Sequence, residues 1–491
     1  MPGEQRMAVA TYLQRIKDKV PSLNTFLKIV LPVLLGYLLG RSIVNPYHRT
    51  VEILVGFFIA AAALLLKPSR AIAAFIVLFL FPAHLSIGTS NTVFILILLS
   101  TWIAQQVLAG KKISVRTPLD LPILLMSVAY LLSLTNVPHG LYGANFRGLS
   151  VFFTSVAIYY LVVNVTTDAA GIRRLLLAGA VGAGIIAAVG IFEIFNPGKQ
   201  LLPYFLVTSG APAIPGGVRA GSAFRNGSVL SQYSIFYLLL AVMFFTREKS
   251  RFLRFLMVLL FAASLTVFIS TAMRGAVVAG AAGLLFLVWR SKVVFNRGRI
   301  LAAVLICVVV FLAAHQFLSS TGLVPNVWKR FAELEEKLGS HVSRAAVMRE
   351  VYQKSLEHPI IGHGPVITLP RGFVATRSNN PHCQYLLYLY TIGLLGLGGF
   401  IWLLVSLFRV SSGVFRLGSS NRVLLGLMVI LQTFLVIFVI HETVDDYSSS
   451  FSYPLFIWYV FGLIVATRNV LLKEASSPVA AENTSTPHRF T

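Results

Sequence analysis

Charge is what this sequence lacks most. Charged residues make up 12% of the 491 positions, about half the roughly 25% of a soluble domain. With 56% hydrophobic residues and a mean hydropathy of +0.79, the chain is excluded from the ordinary soluble globular class. Cysteine is scarcer still. Cys307 falls inside an apolar run and Cys383 at the start of another, without metal-ligand spacing or an evident partner, so a disulfide framework is excluded. The segment 1–24 lacks the apolar core of a cleavable signal peptide and is expected to be retained. No clear internal repeat is visible, and nowhere do apolar and polar residues alternate over the ~10-residue segments of a transmembrane barrel.

What the chain has is long apolar runs. They cover 26–40, 51–66, 71–87, 92–109, 119–135, 149–165, 175–195, 229–246, 255–271, 276–289, 300–318, 383–408, 423–440 and 452–467. Runs near 20 residues span a hydrocarbon core of ~30 Å as helices. The expected fold is all-α, a polytopic integral membrane protein of about 14 (roughly 12–14) transmembrane helices. Two long polar interruptions at 196–228 and 319–381 fall on the same side, and the longer one is itself helical.

Lys and Arg set the orientation, because short cytoplasmic loops collect them. With the N-terminus inside, inner segments hold Lys67, Arg70, Lys111, Lys112, Arg116, Arg173, Arg174, Arg247, Lys249, Arg290, Lys292, Arg409 and Arg416, whereas short outer loops hold only Arg41, Arg49, Arg147 and Arg274. Both termini are then cytoplasmic, the two long loops periplasmic, and the bacterial inner membrane is the natural location. The net charge of +24 reflects this topology and attraction to membrane lipids; nucleic acid is not an implied partner. Three regions follow. Residues 1–24 form a cytoplasmic amphipathic segment, with Val9, Tyr12, Leu13 and Ile16 opposite Arg15, Lys17 and Lys19. Residues 25–468 form the transmembrane catalytic domain, and 469–491 are a disordered cytoplasmic tail with too few apolar residues to fold.

The chemistry is concentrated in the two long loops. In the longer one, Trp328, Phe331, Leu334 and Leu338 recur at helical spacing, then Ala345, Met348, Val351, Tyr352 and Leu356, ending at Pro359 with Gly362 and Gly364 permitting a tight turn. This predicts a helical hairpin over the membrane surface, serving as a lid or acceptor-docking element. Both loops are rich in Lys and Arg, among them Arg219, Arg225, Arg330 and Arg344. Arg274, in STAMRGA, is squeezed between two apolar runs. A charge deep in lipid costs at least ~2.5–3.5 kcal/mol, so this side chain faces protein, water or an anion unless it snorkels to the headgroups. Forked guanidinium donors fit phosphate oxygens in pairs, and several at one surface suit a diphosphate carried on a lipid. His382, in SNNPHCQYLLYLY, stands at the mouth of an apolar run. An imidazole there can accept a proton from a sugar hydroxyl; alone, a histidine is also a common structural residue.

VRAGSAFRNGS before a span, TAMRGA at a span junction, SRAAVMREVYQKSLEHPIIGHGP in a long loop and NPHCQYLLYLYTIGLLGLGGF after it together resemble the O-antigen ligase and polymerase superfamily, over roughly 219–408. The family pattern Arg-x-x-Gly-x-Phe-x-Asn-Pro-Asn meets Arg219, Phe224 and Asn226, with Gly221 one place early and Gly227-Ser228 where the pattern has Pro-Asn. His382 meets the His of a His-Asn pair, with Cys383 replacing Asn. The resemblance implies a metal-independent membrane glycosyltransferase with no cofactor. It would pass a glycan from an undecaprenyl diphosphate-linked donor to a hydroxyl of a glycan or lipid acceptor on the periplasmic face, in lipopolysaccharide or surface polysaccharide assembly. His382 would be the catalytic base, Arg219 and Arg274 would bind the diphosphate, and Arg225 would share or take over the role of Arg219.

Other readings stay open. A polymerase of repeat units shares the scaffold. Glu442, Asp445 and Asp446 in HETVDDYSSS are hard ligands that suit a divalent cation. A lipid or glycan transporter is the alternative from another class, although its usual midplane polar groups are represented mainly by His84, Glu193 and His315. The orientation is directly testable. An accessible tag after Gly210 or Gly339 is expected to label from the periplasm and one after Lys112 or Asn296 is not; cytoplasmic labelling at Gly339 would overturn the placement of the loops.

Overall fold

The computed structural model describes residues 68–78, 90–108, 110, 116–199, 213–214, 217–224, 226–291, 297–332, 344–366, 381–417, 421–445 and 452–476. By contact the chain divides into two units, Met1–Ala61 and Ala62–Thr491, and all described residues belong to the second. The amphipathic segment 1–24, the apolar runs 26–40 and 51–66, Arg225, Asp446 and the tail beyond 476 lie outside the described residues.

The described residues are almost entirely helical. In chain order the helices are α1 (Pro68–Leu78), α2 (Ser90–Leu108), α3 (Asp120–Ser133), α4 (Tyr142–Val165), α5 (Ala169–Phe195), α6 (Gly227–Arg247), α7 (Arg251–Thr271), α8 (Arg274–Ser291), α9 (Arg297–Ser320), α10 (Val327–Ala332), α11 (Arg344–Ser355), α12 (Gln384–Gly413), α13 (Arg422–His441) and α14 (Ser452–Ala475), with a small antiparallel pair, β1 (Ala213–Ile214) and β2 (Gly217–Val218). Every apolar run from 92–109 onward falls on a helix over its described residues, and 71–78 of the run 71–87 are helical. Among the described residues nine helices are long and apolar enough to cross a membrane, and two shorter apolar ones lie at Ile95–Val107 and Asp120–Asn136. The larger expected number includes runs outside the described residues. The chain is therefore a multi-pass membrane protein by composition and helix length.

Helices begin where the sequence supplies an acceptor for the unbonded first-turn amides. Asp168, Asn226, Ser250 and Asn421 accept from the N–H groups of Gly171, Ser228, Leu253 and Leu424 at the starts of α5, α6, α7 and α13. The last helix extends past the expected start of the tail at 469, because Val470 and Leu471 are buried and continue its packed face. Helices distant in sequence meet, α14 on α4, α12 on α3 and α8 on α13. Glycines permit close approach at two of these contacts, Gly462 against Val162 and Gly399 against Met126, as expected where lipid removes any hydrophobic drive between helices and packing must do the work. Aromatic rings fill the space between α6, α13 and α14, with Phe236 lying 5.0 Å from Phe434 and 5.5 Å from Phe456.

The apolar run 383–408 is not one continuous helix. Gly393 has φ 67° and ψ −170°, so α12 is broken there into two helical pieces. The break is filled by the turn after Pro359. Leu394 and Leu395 donate their N–H groups to the carbonyls of Pro359 (2.8 Å) and Ile360 (3.1 Å), while His363 and Gly364 donate to the carbonyls of Tyr390 (2.9 Å) and Thr391 (3.0 Å). Asn136 at the end of α3 donates through Nδ2 to the Gly362 carbonyl at 2.7 Å. The expected tight turn exists, with Gly362 at φ 72° and Gly364 at φ 120°, but it is wedged into the split helix. Before it, α11 packs Val347 and Val351 against Leu386 and Tyr390 of α12.

A Cβ on Gly393 would meet the Ile360 carbonyl, and one on Gly362 the Thr391 carbonyl. Left-handed backbone adds ~1–3 kcal/mol for a residue with a side chain. Gly393→Val and Gly362→Val are expected to lower the thermal unfolding midpoint of detergent-purified protein, at a cost of about 2 kcal/mol or more each. Gly398→Ala, at a position with open space around its Cβ, should leave the midpoint unchanged or raise it slightly.

Candidate functional site

The first loop delivers Arg219 from β2. The Val218 N–H donates to the Leu323 carbonyl at 3.0 Å, which ties the two long loops together at one end of the helices. Beyond Arg219 the chain is anchored from below by Glu193, near the end of α5, whose carboxylate accepts the N–H groups of Gly221 (3.2 Å) and Ser222 (2.9 Å). Ser222 has a left-handed φ of 46°, and its hydroxyl donates to the Ile186 carbonyl at 2.8 Å. Gly227 opens α6 directly against the guanidinium, where a Cβ would sit 3.2 Å from Arg219 Nε.

The second element is the break between α7 and α8. Ala272 is left-handed at φ 47° and ends α7, leaving carbonyls at the negative end of a helix dipole. Arginines answer them. Arg219 Nε donates to the Thr271 carbonyl at 3.0 Å, and its Nη2 contacts the Met273 sulfur. Arg330, in α10, donates from Nη1 to the Ala272 carbonyl at 2.6 Å, and Arg274 Nη1 donates to the Arg330 carbonyl at 2.6 Å. Arg344, at the start of α11, reaches the Val444 carbonyl at 3.5 Å.

The cations crowd one another. Burial first, and then the charges of Arg330 and Arg344 against the opposing pull of Asp445, bring the pKa of Arg219 down to about 10. Arg219 therefore remains a cation at neutral pH, held in a cluster that an anion would relieve.

His382 stands at the mouth of α12 with a left-handed φ of 50°. Its Nδ1 lies 3.6 Å from Asp445 Oδ1, with the histidine side chain 24% and the carboxylate 10% exposed. Cys383 occupies the N-cap position without a side-chain cap. The first amide of α12 is satisfied instead by another element, Gln384 N–H donating to the Glu442 carbonyl at 2.9 Å. Asp445 thus links the two halves of the site, paired with His382 and acting electrostatically on Arg219.

Behind this pair lies a buried polar network. Ser228 Oγ and His441 Nε2 are 3.3 Å apart, Gln232 Nε2 contacts His441 Nδ1 and donates to Glu442 Oε1 at 2.9 Å, and the Tyr453 hydroxyl donates to the same carboxylate oxygen at 3.1 Å. Glu442 and Asp445 consequently face different partners, and among the described residues no group of three metal-capable side chains converges. Away from the arginines, a deep apolar slot of about 290 Å³ descends from Trp328 and Val277 between α6, α7, α8 and α9, past Leu265 and Phe311.

Residues 258–401 match the family model described as O-antigen ligase. Over this stretch the chain is similar to the O-antigen ligase and polymerase superfamily. No curated protein matches it. Within the matched residues fall Arg274, Arg330, Arg344 and His382, while Arg219 and Asp445 flank them. The match supports an O-antigen ligase or polymerase type of function, and the nine long apolar helices among the described residues are those of a multi-pass membrane protein.

Of the expected site residues, Arg219 and Arg274 meet at the α7–α8 break, and His382 joins them through Asp445; Arg225 lies outside the described residues. The family pattern's departures also acquire a physical reading. Ser222 stands where the pattern has Gly and adopts the left-handed backbone that glycine favours. Asn226 caps α6, with Gly227 at the first helical position, where a proline would equally be tolerated. The absence of a capping Asn at 383 is made good by the Glu442 carbonyl. Sequence reading had no means of separating Arg330 and Arg344 from the other loop cations, and it assigned Asp445 to a possible metal set.

Glu193 separates hydrogen bonding from charge as the anchor of this loop. Glu193→Leu leaves two buried amides unsatisfied, each worth ~1–3 kcal/mol, and is expected to lower the thermal midpoint and the transfer rate together. Glu193→Gln retains an acceptor oxygen and should preserve most of both; equal damage from the two substitutions would show that the charge is what matters.

Proposed function

We propose that the protein transfers a glycan from an undecaprenyl diphosphate-linked donor to a hydroxyl of a glycan or lipid acceptor, on the periplasmic face of the bacterial inner membrane, as an O-antigen ligase. The observation that carries this reading is the gathering of Arg219, Arg274 and Arg330 at one helix break, beside a histidine paired with a carboxylate. Planar guanidinium groups held by their own structural bonds are preorganised donors for phosphate oxygens. A guanidinium has five N–H donors, so the bonds that fix Arg219 leave others for a ligand.

The acceptor oxygen attacks the anomeric carbon of the donor sugar, and the bond from that carbon to the diphosphate oxygen breaks with its electron pair. His382 takes the acceptor proton at Nε2, while Nδ1, on the Asp445 side, keeps the ring oriented and its developing charge balanced. Undecaprenyl diphosphate leaves with its charge held by the arginines, which act where a metal ion would otherwise be needed. A diphosphate leaves readily without a proton, so no separate general acid is required. The apolar slot lined by Trp328, two residues before Arg330, would take the prenyl chain.

Transfer from a purified undecaprenyl diphosphate glycan, in nanodiscs and in the presence of excess chelator, tests this reading. His382→Ala is expected to lose ~10²–10⁴-fold in rate with donor binding retained, whereas Cys383→Ala should be mild. Arg274→Lys keeps the charge but loses the fork and should be badly impaired in binding and turnover. Wild-type rates in His382→Ala would make that histidine structural, and loss of transfer on chelation would overturn the metal-free mechanism. An Arg274→Lys variant with unchanged binding and turnover would remove the diphosphate role.

A further inference from the structure

A second cavity, of about 250 Å³, lies beside α12 and shares no lining residue with the slot lined by Trp328. Its walls come from α3, α4, α14 and α12, the last mostly through its first half with Phe400 beyond the break, and its rim includes Pro365 and Val366, just beyond the turn that fills the Gly393 break. Val366 is held by its N–H donating to Asn145 Oδ1 at 3.0 Å. Lining residues on α4 extend from Ala144 to Ser155, roughly 16 Å along a helix axis. The deep part is aromatic, with Tyr130 stacked on Phe152 at 4.1 Å and Phe152 edge-on to Trp458 at 5.9 Å.

The polar groups in this cleft are already engaged at depth. Ser155 Oγ donates to the Val151 carbonyl and Thr391 Oγ1 to the Leu387 carbonyl, both at 2.7 Å, and the hydroxyls of Tyr130 and Tyr388 bond to each other. A sugar placed there would bury hydroxyls without partners, at a cost of ~1–3 kcal/mol for each. A hydrocarbon chain would not. At the mouth stands Arg147, exposed, and among the described residues no carboxylate pairs with it.

We propose that this cleft binds one acyl chain of an anionic phospholipid, with its phosphate on Arg147 and its chain against Phe152, Tyr388 and Trp458. The inference goes beyond the glycan-transfer reading and does not depend on it. Its consequence is mechanical. Leu387, Tyr388 and Thr391 belong to the half-helix that begins immediately after His382 and Cys383, so an occupied cleft braces that half-helix from behind.

Trp458 makes the test specific. It is 6% exposed and lines the cleft, so a chain seated there lies against it. Tryptophan fluorescence would be measured in nanodiscs whose phosphatidylglycerol or phosphatidylcholine carries brominated chains, and the Trp458 signal obtained as the difference between wild type and Trp458→Phe. Brominated phosphatidylglycerol is expected to quench that signal at least threefold more than brominated phosphatidylcholine. Arg147→Gln should bring the two lipids level, and Val151→Phe, which fills the cleft, should abolish the quenching. Trp289 and Trp402, both exposed, should be quenched alike in every variant and so report intact folding. An unquenched Trp458, equal quenching by both lipids, or indifference to Arg147→Gln would each overturn the proposal. None of these readouts involves glycan transfer, so a failed transfer assay and a failed lipid site are separate results.

Discussion

A helix broken inside an apolar bundle has to have its freed backbone groups answered by protein, because lipid offers no substitute. In α12 the break at Gly393 frees groups on both sides, and the turn after Pro359 answers them in reciprocal pairs. With each unmade buried bond costing ~1–3 kcal/mol, this loop has little freedom to lie elsewhere. Its seating leads α11 onto the first half of α12 through Val347, Val351 and Tyr390. That half-helix then presents His382 at its mouth, pinned on its other side by the Gln384 bond to Glu442. The position of the proposed base is thus set by main-chain hydrogen bonding several residues away together with Asp445 beside the imidazole.

The same logic governs the arginines. Arg219 and Arg330 act as caps for the carbonyl end of α7, a favourable place for cations beside a helix dipole. Capping alone would be satisfied by fewer charges. Arg274 and Arg344 add to a cluster in which neighbouring cations already depress the pKa of Arg219, and Asp445 is the carboxylate set against them. Cations gathered in this way repel one another and would be stabilised by an anion. The cluster's rigidity comes from backbone acceptors, so a ligand meets donors that need little reorganisation.

The helices were legible from sequence because apolar runs of the right length have few other folds open to them, and from α3 onward the expected runs fall on helices with modest extensions. The loops were legible in part. Glycines at 362 and 364 marked a turn, but its destination depended on Gly393, which in an apolar run reads as an ordinary helix-packing residue. His382, Arg219 and Arg274 stood out through position and resemblance. Asp445 did not, since its partner lies 63 positions earlier (445 − 382 = 63) and nothing local in HETVDDYSSS indicates which carboxylate turns toward it. Gln232 was similarly silent, although Ser228 and Gln232 at i, i+4 on an apolar span do mark a polar stripe. That stripe meets His441 and Glu442 only in three dimensions.

The matched family region, 258–401, holds the α7–α8 break, the helical loop and the start of α12, but it is incomplete as a site. Arg219 enters from before it, fixed by Glu193 and by the bond from Val218 to Leu323. Asp445 enters from beyond it, on a turn that also supplies the carbonyl for Gln384. A change of sequence confined to the matched region could therefore preserve every family motif and still fail if α5 or the end of α13 shifted. Three segments therefore build the site, and the two that flank the matched region supply Arg219 and Asp445 as well as holding the geometry of the break.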